Sequence, residues 1–114
     1  MATKTIRFSH LSPARQALVR LSQSINYGHI EALHVVDGEP KFTPAPTVLL
    51  DVKLDQDEGP RPEVELPDFE LCSELRRLMS RIDEIQNGTI ERLEVRGGLP
   101  RRLVFESRLP EALR

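Results

Sequence analysis

A chain of 114 residues, 39% hydrophobic and 30% charged, has room for one compact domain and the usual balance of a globular one. Its 16 basic and 18 acidic residues leave a formal net charge of -2, and the single cysteine, Cys72, excludes an internal disulfide framework or a cysteine-based zinc site within one chain. No apolar run approaches the roughly 18 to 20 residues of a membrane helix. Met1–Arg7 lacks the apolar core of a secretory signal, so a soluble cytoplasmic protein with no membrane partner is expected.

The first element is a helix. Ser12 supplies an N-cap hydroxyl and Pro13 a first helical residue, after which Ala17, Leu18, Leu21 and Ile25 recur at helical spacing. Gly28 is expected to end it as a left-handed C-cap. A strand Ile30–Val36 follows, then the hairpin pair Asp37-Gly38. Phe42–Pro46 carries two prolines and cannot be an interior strand. Thr47–Leu54 alternates Val48, Leu50, Val52 and Leu54 with Leu49, Asp51 and Lys53, the pattern of a half-buried strand. Asp55–Pro62 reads as a charged loop, and Glu63–Leu66 as a short edge strand.

Asp68 is the expected N-cap of a second helix, on which Leu71, Leu75, Leu78, Ile82 and Ile85 form one apolar stripe up to a capping Gly88. The strand Ile90–Arg96 sets Leu93 and Val95 on one face and Arg92, Glu94 and Arg96 on the other. A three-residue loop, Gly97-Gly98-Leu99, is expected to place Leu93 opposite Leu103 and Glu94 opposite Arg102 on the return strand Arg101–Glu106.

These halves are copies. Ile25, Gly28, Ile30, Glu31, Leu33, Val35, Gly38 and Pro40 recur 60 residues later as Ile85, Gly88, Ile90, Glu91, Leu93, Val95, Gly98 and Pro100, and Leu11 and Leu18 recur as Leu71 and Leu78. One helix and one hairpin are too small to bury a core alone. The fold expected is therefore α+β, one domain over residues 1–114. Two helix–hairpin repeats, about 11–42 and 71–106, pack with pseudo-two-fold symmetry, two helices over an antiparallel sheet of four to five strands. Residues 43–68 form an acidic insert of strand and loop. The rival arrangement is two lobes that each complete their core against another chain.

The repeated text resembles the YezD-like family of very small uncharacterised bacterial proteins. The residues that carry the likeness are Tyr27-Gly28-His29-Ile30-Glu31 with Asp37-Gly38, and Asn87-Gly88-Thr89-Ile90-Glu91 with Gly97-Gly98. The resemblance covers roughly residues 14–42 and 74–106, two copies where family members carry one. It implies a dimer-forming protein of the bacterial cytoplasm and supplies no catalytic residues. Pro40, Pro100 and the acidic insert depart from the family pattern.

Candidate chemistry is sparse. His29 and His34 lie five apart on one strand and are expected on opposite faces, which speaks against a shared metal. Asp51, Asp55, Asp57 and Glu58 lack the glycine and glutamate positions of a calcium loop. Cys72, at the head of the second helix, is placed for a dipole-lowered pKa but has no legible base or oxyanion site. No metal, cofactor or catalytic residue is assigned, and a non-enzyme is expected. Gly28, Asp37, Gly38, Gly88, Gly97 and Gly98 are accounted for as caps and turns.

Arginines are the distinctive polar group: Arg76, Arg77 and Arg81 on the second helix, and Arg92, Arg96 and Arg102 on the outward face of the second hairpin. Arginine grips phosphates bidentately, yet Glu91 and Glu94 interleave, aromatics are only 4%, and no helix-turn-helix or aromatic strand motif is present. Charge also divides along the chain. Residues 1–42 hold five basic against three acidic groups, residues 43–74 two against nine, and residues 75–114 nine against six. An acidic middle between basic ends suits self-recognition. The reading is a cytoplasmic protein-interaction or regulatory module that self-associates or binds another protein through a hairpin face or an open sheet edge. Its alternatives are a nucleic-acid-binding module using those six arginines and a small-ligand carrier with a pocket between helices and sheet.

Overall fold

A computed structural model describes residues 6–55 and 66–106. A 3-10 turn, Phe8–His10, precedes α1 (Pro13–Ile25), β1 (Tyr27–Val36), β2 (Glu39–Lys41) and β3 (Thr47–Leu50). Then come α2 (Ser73–Ile85), β4 (Gly88–Arg96) and β5 (Leu99–Phe105). The architecture is α+β, two helices with one antiparallel sheet of five strands. β1 and β4 are the central pair; β5 flanks β4, while β2 and β3 share the far side of β1.

Ser12 caps α1 as expected, its hydroxyl accepting the Arg15 N–H at 3.3 Å and donating to Glu39 at 2.6 Å. Asp68 does not cap α2. Its carboxylate instead accepts from Arg7 Nε at 2.8 Å and from the Ser9 N–H at 2.9 Å, and α2 starts after Cys72 with no side-chain cap. The reason lies 61 residues away: the N-terminal segment pairs antiparallel with this stretch, through Phe8 N–H to Phe69 O at 2.8 Å and Leu71 N–H to Ile6 O at 2.9 Å. Phe8 and Phe69 stack with centroids 5.0 Å apart, and the Arg20 guanidinium sits 4.3 Å above the Phe8 ring.

Gly28 and Gly88 do not cap the helices. Both helices end earlier, at Asn26 (φ 63°) and Gln86 (φ 56°), and the glycines lie inside β1 and at the start of β4. Turning early aims each cap's carbonyl at the opposite hairpin. Asn26 O accepts the Gly98 N–H at 2.9 Å, and Gln86 O accepts the Gly38 N–H at 2.8 Å. Gly28 answers a different need, because a Cβ there would stand 2.1 Å from the Leu49 carbonyl oxygen of β3.

The first hairpin turns on Asp37-Gly38 as expected, and the second turns on two residues, Gly97-Gly98, not three. Asp37-Gly38 and Gly97-Gly98 all have positive φ, the conformation of a type I′ turn, and Arg96 pairs directly with Leu99. The expected partners still meet, Leu93 with Leu103 and Glu94 with Arg102, because a bulge between Glu94 and Val95 shifts the register. Arg101 is the extra residue. β3 spans only four residues of the expected Thr47–Leu54, and all four are exposed, so the half-buried reading fails. Phe42–Pro46 forms no strand. The charged loop and the edge strand proposed for Glu63–Leu66 fall almost wholly outside the described residues.

Ile30, Leu33 and Val35 of β1 and Ile90, Leu93 and Val95 of β4 form one buried sheet face, met by Leu18, Val19 and Ile25 of α1 and Leu75, Leu78, Met79 and Ile82 of α2. A single hydrophobic cluster thus draws on both halves of the chain. The helices are tied directly by an ion pair between Arg15 and Asp83, and Arg15 also donates to Gly38 O at 2.8 Å.

Candidate interaction face

The sheet face turned away from the helices is polar because its strands alternate, with one interruption. Ala32 takes a positive φ of 57°, which breaks the alternation in β1. Ile30, Leu33 and Val35 all point into the core, so His29 and His34 emerge on the same open face, not on opposite ones. His34 Nδ1 lies 3.0 Å from Thr89 Oγ1. His29 Nε2 lies 3.0 Å from Glu31 and 3.3 Å from Arg92. Among the described residues no group of three or more His, Cys, Asp and Glu side chains is placed to hold a metal ion.

The six sequence-designated arginines do not form one patch. Arg92 and Arg96 stand on the open face, where with Tyr27, His29, Glu94, Leu49, Leu50 and Asp51 they border a shallow, solvent-open hollow of about 420 Å³. Arg96 and Arg102 both approach Glu94, at 3.8 and 3.9 Å, so one carboxylate serves two guanidinium groups. Arg77 and Arg81 are on α2, and with Arg101 and Arg102 of the edge strand β5 they border a smaller groove of about 140 Å³. Arg76 faces another hollow, with Arg15 and Asp83. Arg81 also pairs with Glu84 at 2.9 Å.

Arg101 was not among the six. It stands 3.5 Å from Glu74, whose carboxylate is held below its ordinary range by its own backbone N–H, by Cys72 and by Arg101 and Arg77. Only the bulge, invisible in strand alternation, announces that position. The Cys72 thiol runs against expectation: burial pushes its pKa up, and the neighbouring Glu74 carboxylate adds to this, so the helix terminus does not yield a thiolate. Asp68 is displaced furthest, to about 2, by the Arg7 hydrogen bond first and the Ser9 N–H second.

The apolar side chains that sequence alternation assigned to a half-buried strand are instead presented to solvent. Val48 is 37% exposed, Leu49 43%, Leu50 60%, Val52 60% and Leu54 96%. They make an apolar arm at one side of the sheet, next to the hollow. No helix of the described residues is long and apolar enough to cross a membrane. Comparison with protein-family models, curated proteins and solved structures finds no match to the chain.

Proposed function

We propose that this chain is a non-enzymatic protein-interaction module of the bacterial cytoplasm, built by duplication of a helix–hairpin unit and able to self-associate. The observation that carries the reading is the apolar arm Val48–Leu54, which the chain's own core leaves uncovered. Scattered exposed leucines are ordinary, whereas several apolar side chains gathered at and just beyond an edge strand mark a place that a partner covers or to which it adds a strand. Duplication is supported by the offset of 60 between α1 and α2 and by the pairing of β1 with β4. There Gly28 meets Val95 while Val35 meets Gly88, and Ile30 meets Leu93 while Leu33 meets Ile90. The exchanged bonds from Gly98 to Asn26 and from Gly38 to Gln86 follow the same pseudo-two-fold relation. On this reading the protein is a covalently joined pair of units that resemble the YezD-like family, with the cross-bonds standing where two separate chains would meet.

A second reading, nucleic-acid binding, draws on the groove where Arg77, Arg81, Arg101 and Arg102 come together. It is weakened by Glu74 and Glu94, which already sit beside Arg101 and Arg102. The carrier reading finds no support between helices and sheet, a space filled by Leu18, Ile30, Leu33, Ile82, Ile90 and Leu93. Heparin chromatography with a salt gradient, run beside light scattering at rising protein concentration, separates these readings. A mass above the monomer with no salt-labile retention is expected. Strong retention that falls steeply with salt, and disappears in the quadruple variant R77Q/R81Q/R101Q/R102Q, replaces the interaction reading with the nucleic-acid one.

A further inference from the structure

Resting on the interaction reading, we infer that the partner of the β3 arm is a second copy of this chain, docked by antiparallel pairing of Leu50–Leu54 about a two-fold axis through Val52.

The argument begins with the backbone. Asp51 donates its N–H to Tyr27 O at 2.8 Å, so residues 47, 49 and 51 turn their peptide groups toward β1. The even-numbered residues Val48 and Leu50 therefore direct their N–H and C=O groups away from β1, on the edge that has no ladder partner among the described residues, and the same alternation carried past the end of β3 turns Val52 and Leu54 that way when a partner strand pairs with them. An incoming strand must meet those outward groups, so a self-paired register sets even-numbered residues of one copy opposite even-numbered residues of the other, and the two-fold passes through a residue rather than between two.

Side-chain chemistry then selects the centre. About Val52, the segment Leu50-Asp51-Val52-Lys53-Leu54 is its own complement. Val52 meets Val52, each Leu50 meets the other copy's residue 54, and each Asp51 meets the other copy's residue 53, a lysine. All the apolar pairs fall on the helix side of the sheet, the side to which Val48 and Leu50 belong through their pairing with Ile30 and Gly28. Both ion pairs fall on the open face. A centre at Leu50 would set Asp51 against Leu49, and a centre at Asp51 would oppose Asp51 to Asp51 and Lys53 to Leu49. The exposure of Leu50, Val52 and Leu54 measures what such a seam would cover.

A seam of five residues is short beside the roughly 1,200 to 2,000 Å² of a standard interface. The dimer is therefore a concentration-dependent one, with a dissociation constant on the order of 10 μM at moderate salt.

Sedimentation velocity over a concentration series tests this on the full chain. The Asp51→Lys variant puts lysine against lysine twice in each dimer, and Lys53→Asp puts aspartate against aspartate twice. Each is expected to weaken dimerisation about tenfold or more, and D51K/K53D together to restore it to within about threefold of the wild type. Circular dichroism melts accompany each variant, so that loss of fold is told apart from loss of contact. A dimer equally weakened in the double variant, or indifferent to all three, overturns this seam while leaving self-association standing. A wild type that stays monomeric at 200 μM also overturns it, and when joined to salt-labile heparin retention it overturns the interaction reading as well.

Discussion

Gly28 and Gly88 occupy matching places in the two halves, yet they are predicted to respond very differently to alanine. At Gly28 the new Cβ would lie 2.1 Å from the Leu49 carbonyl oxygen and 3.0 Å from an Ile25 methyl. The first contact is with main chain, which cannot rotate aside, so β3 must shift away from β1. That strains the four pairs from Gly28–Leu50 to Glu31–Thr47 and the Asp51 bond to Tyr27 O. Overpacking of this kind costs about 1–3 kcal/mol, a fall in Tm of roughly 5–20 °C for a domain near this size. At Gly88 the nearest atom is an Ile85 methyl at 3.2 Å, an end that can move a few tenths of an ångström. Restricting the unfolded chain offsets that adjustment, leaving G88A within about 0.5 kcal/mol of the wild type. Thermal and urea melts of G28A and G88A give the comparison, and hydrogen exchange locates it, since the Asp51 amide should lose protection in G28A alone. Equal melting points, or an Asp51 amide as protected as before, would refute the claim that β3 presses on Gly28.

Two further outcomes follow from the core and from the N-terminal tie. Ile82 is fully buried between helix and sheet, so Ile82→Ala is expected to cost about 2–5 kcal/mol, read as a lowered urea midpoint with unchanged slope. For Asp68, whose folded pKa is depressed from 3.8 to about 2, the unfolded chain binds the proton more readily, so the contribution is present above about pH 4 and is lost as pH falls toward 2. A carboxyl NMR titration should find its midpoint near 2 and Arg7→Gln should raise it; a midpoint near 3.8 in the wild type would remove the Arg7–Asp68 pair from the structure.

What the residues disclosed in advance was whatever depends on neighbours a few positions apart. Ser12-Pro13 started a helix, the stripe Leu75, Leu78 and Ile82 buried itself, and two pairs rich in glycine made hairpin turns. What stayed hidden was set by distant contacts or by one irregular residue. Asp68 is chemically a fit N-cap, but Arg7 and Ser9 compete for the same oxygens. Ala32 carries no mark of its positive φ, yet it alone brings both histidines to one face. The alternation of Thr47–Leu54 reported correctly that one side is apolar; it had no means of reporting that neither helix extends over it.

Among the described residues the sheet has two edges without a ladder partner, and they differ in a way that bears on which one a partner uses. β2 and β3 lie along β1 as the single strand β5 lies along β4, but the first return strand is interrupted by Phe42–Pro46 and resumes as β3. β5 carries the features that discourage strand addition: Pro100 without an N–H donor, a bulge at Arg101, and two adjacent arginines. β3 carries none of these within Thr47–Leu50, and beyond it Asp51 and Lys53 complement each other across a two-fold. A sheet with one blunted edge and one apolar edge is expected to stop at a pair. Adding a strand at both edges would propagate an open chain of molecules, whereas adding one only at β3 closes on itself. The interruption by proline thus does more than end β2: the chain re-enters the sheet as β3 with different side chains on the edge, giving the first half of the chain an edge surface that the second half lacks.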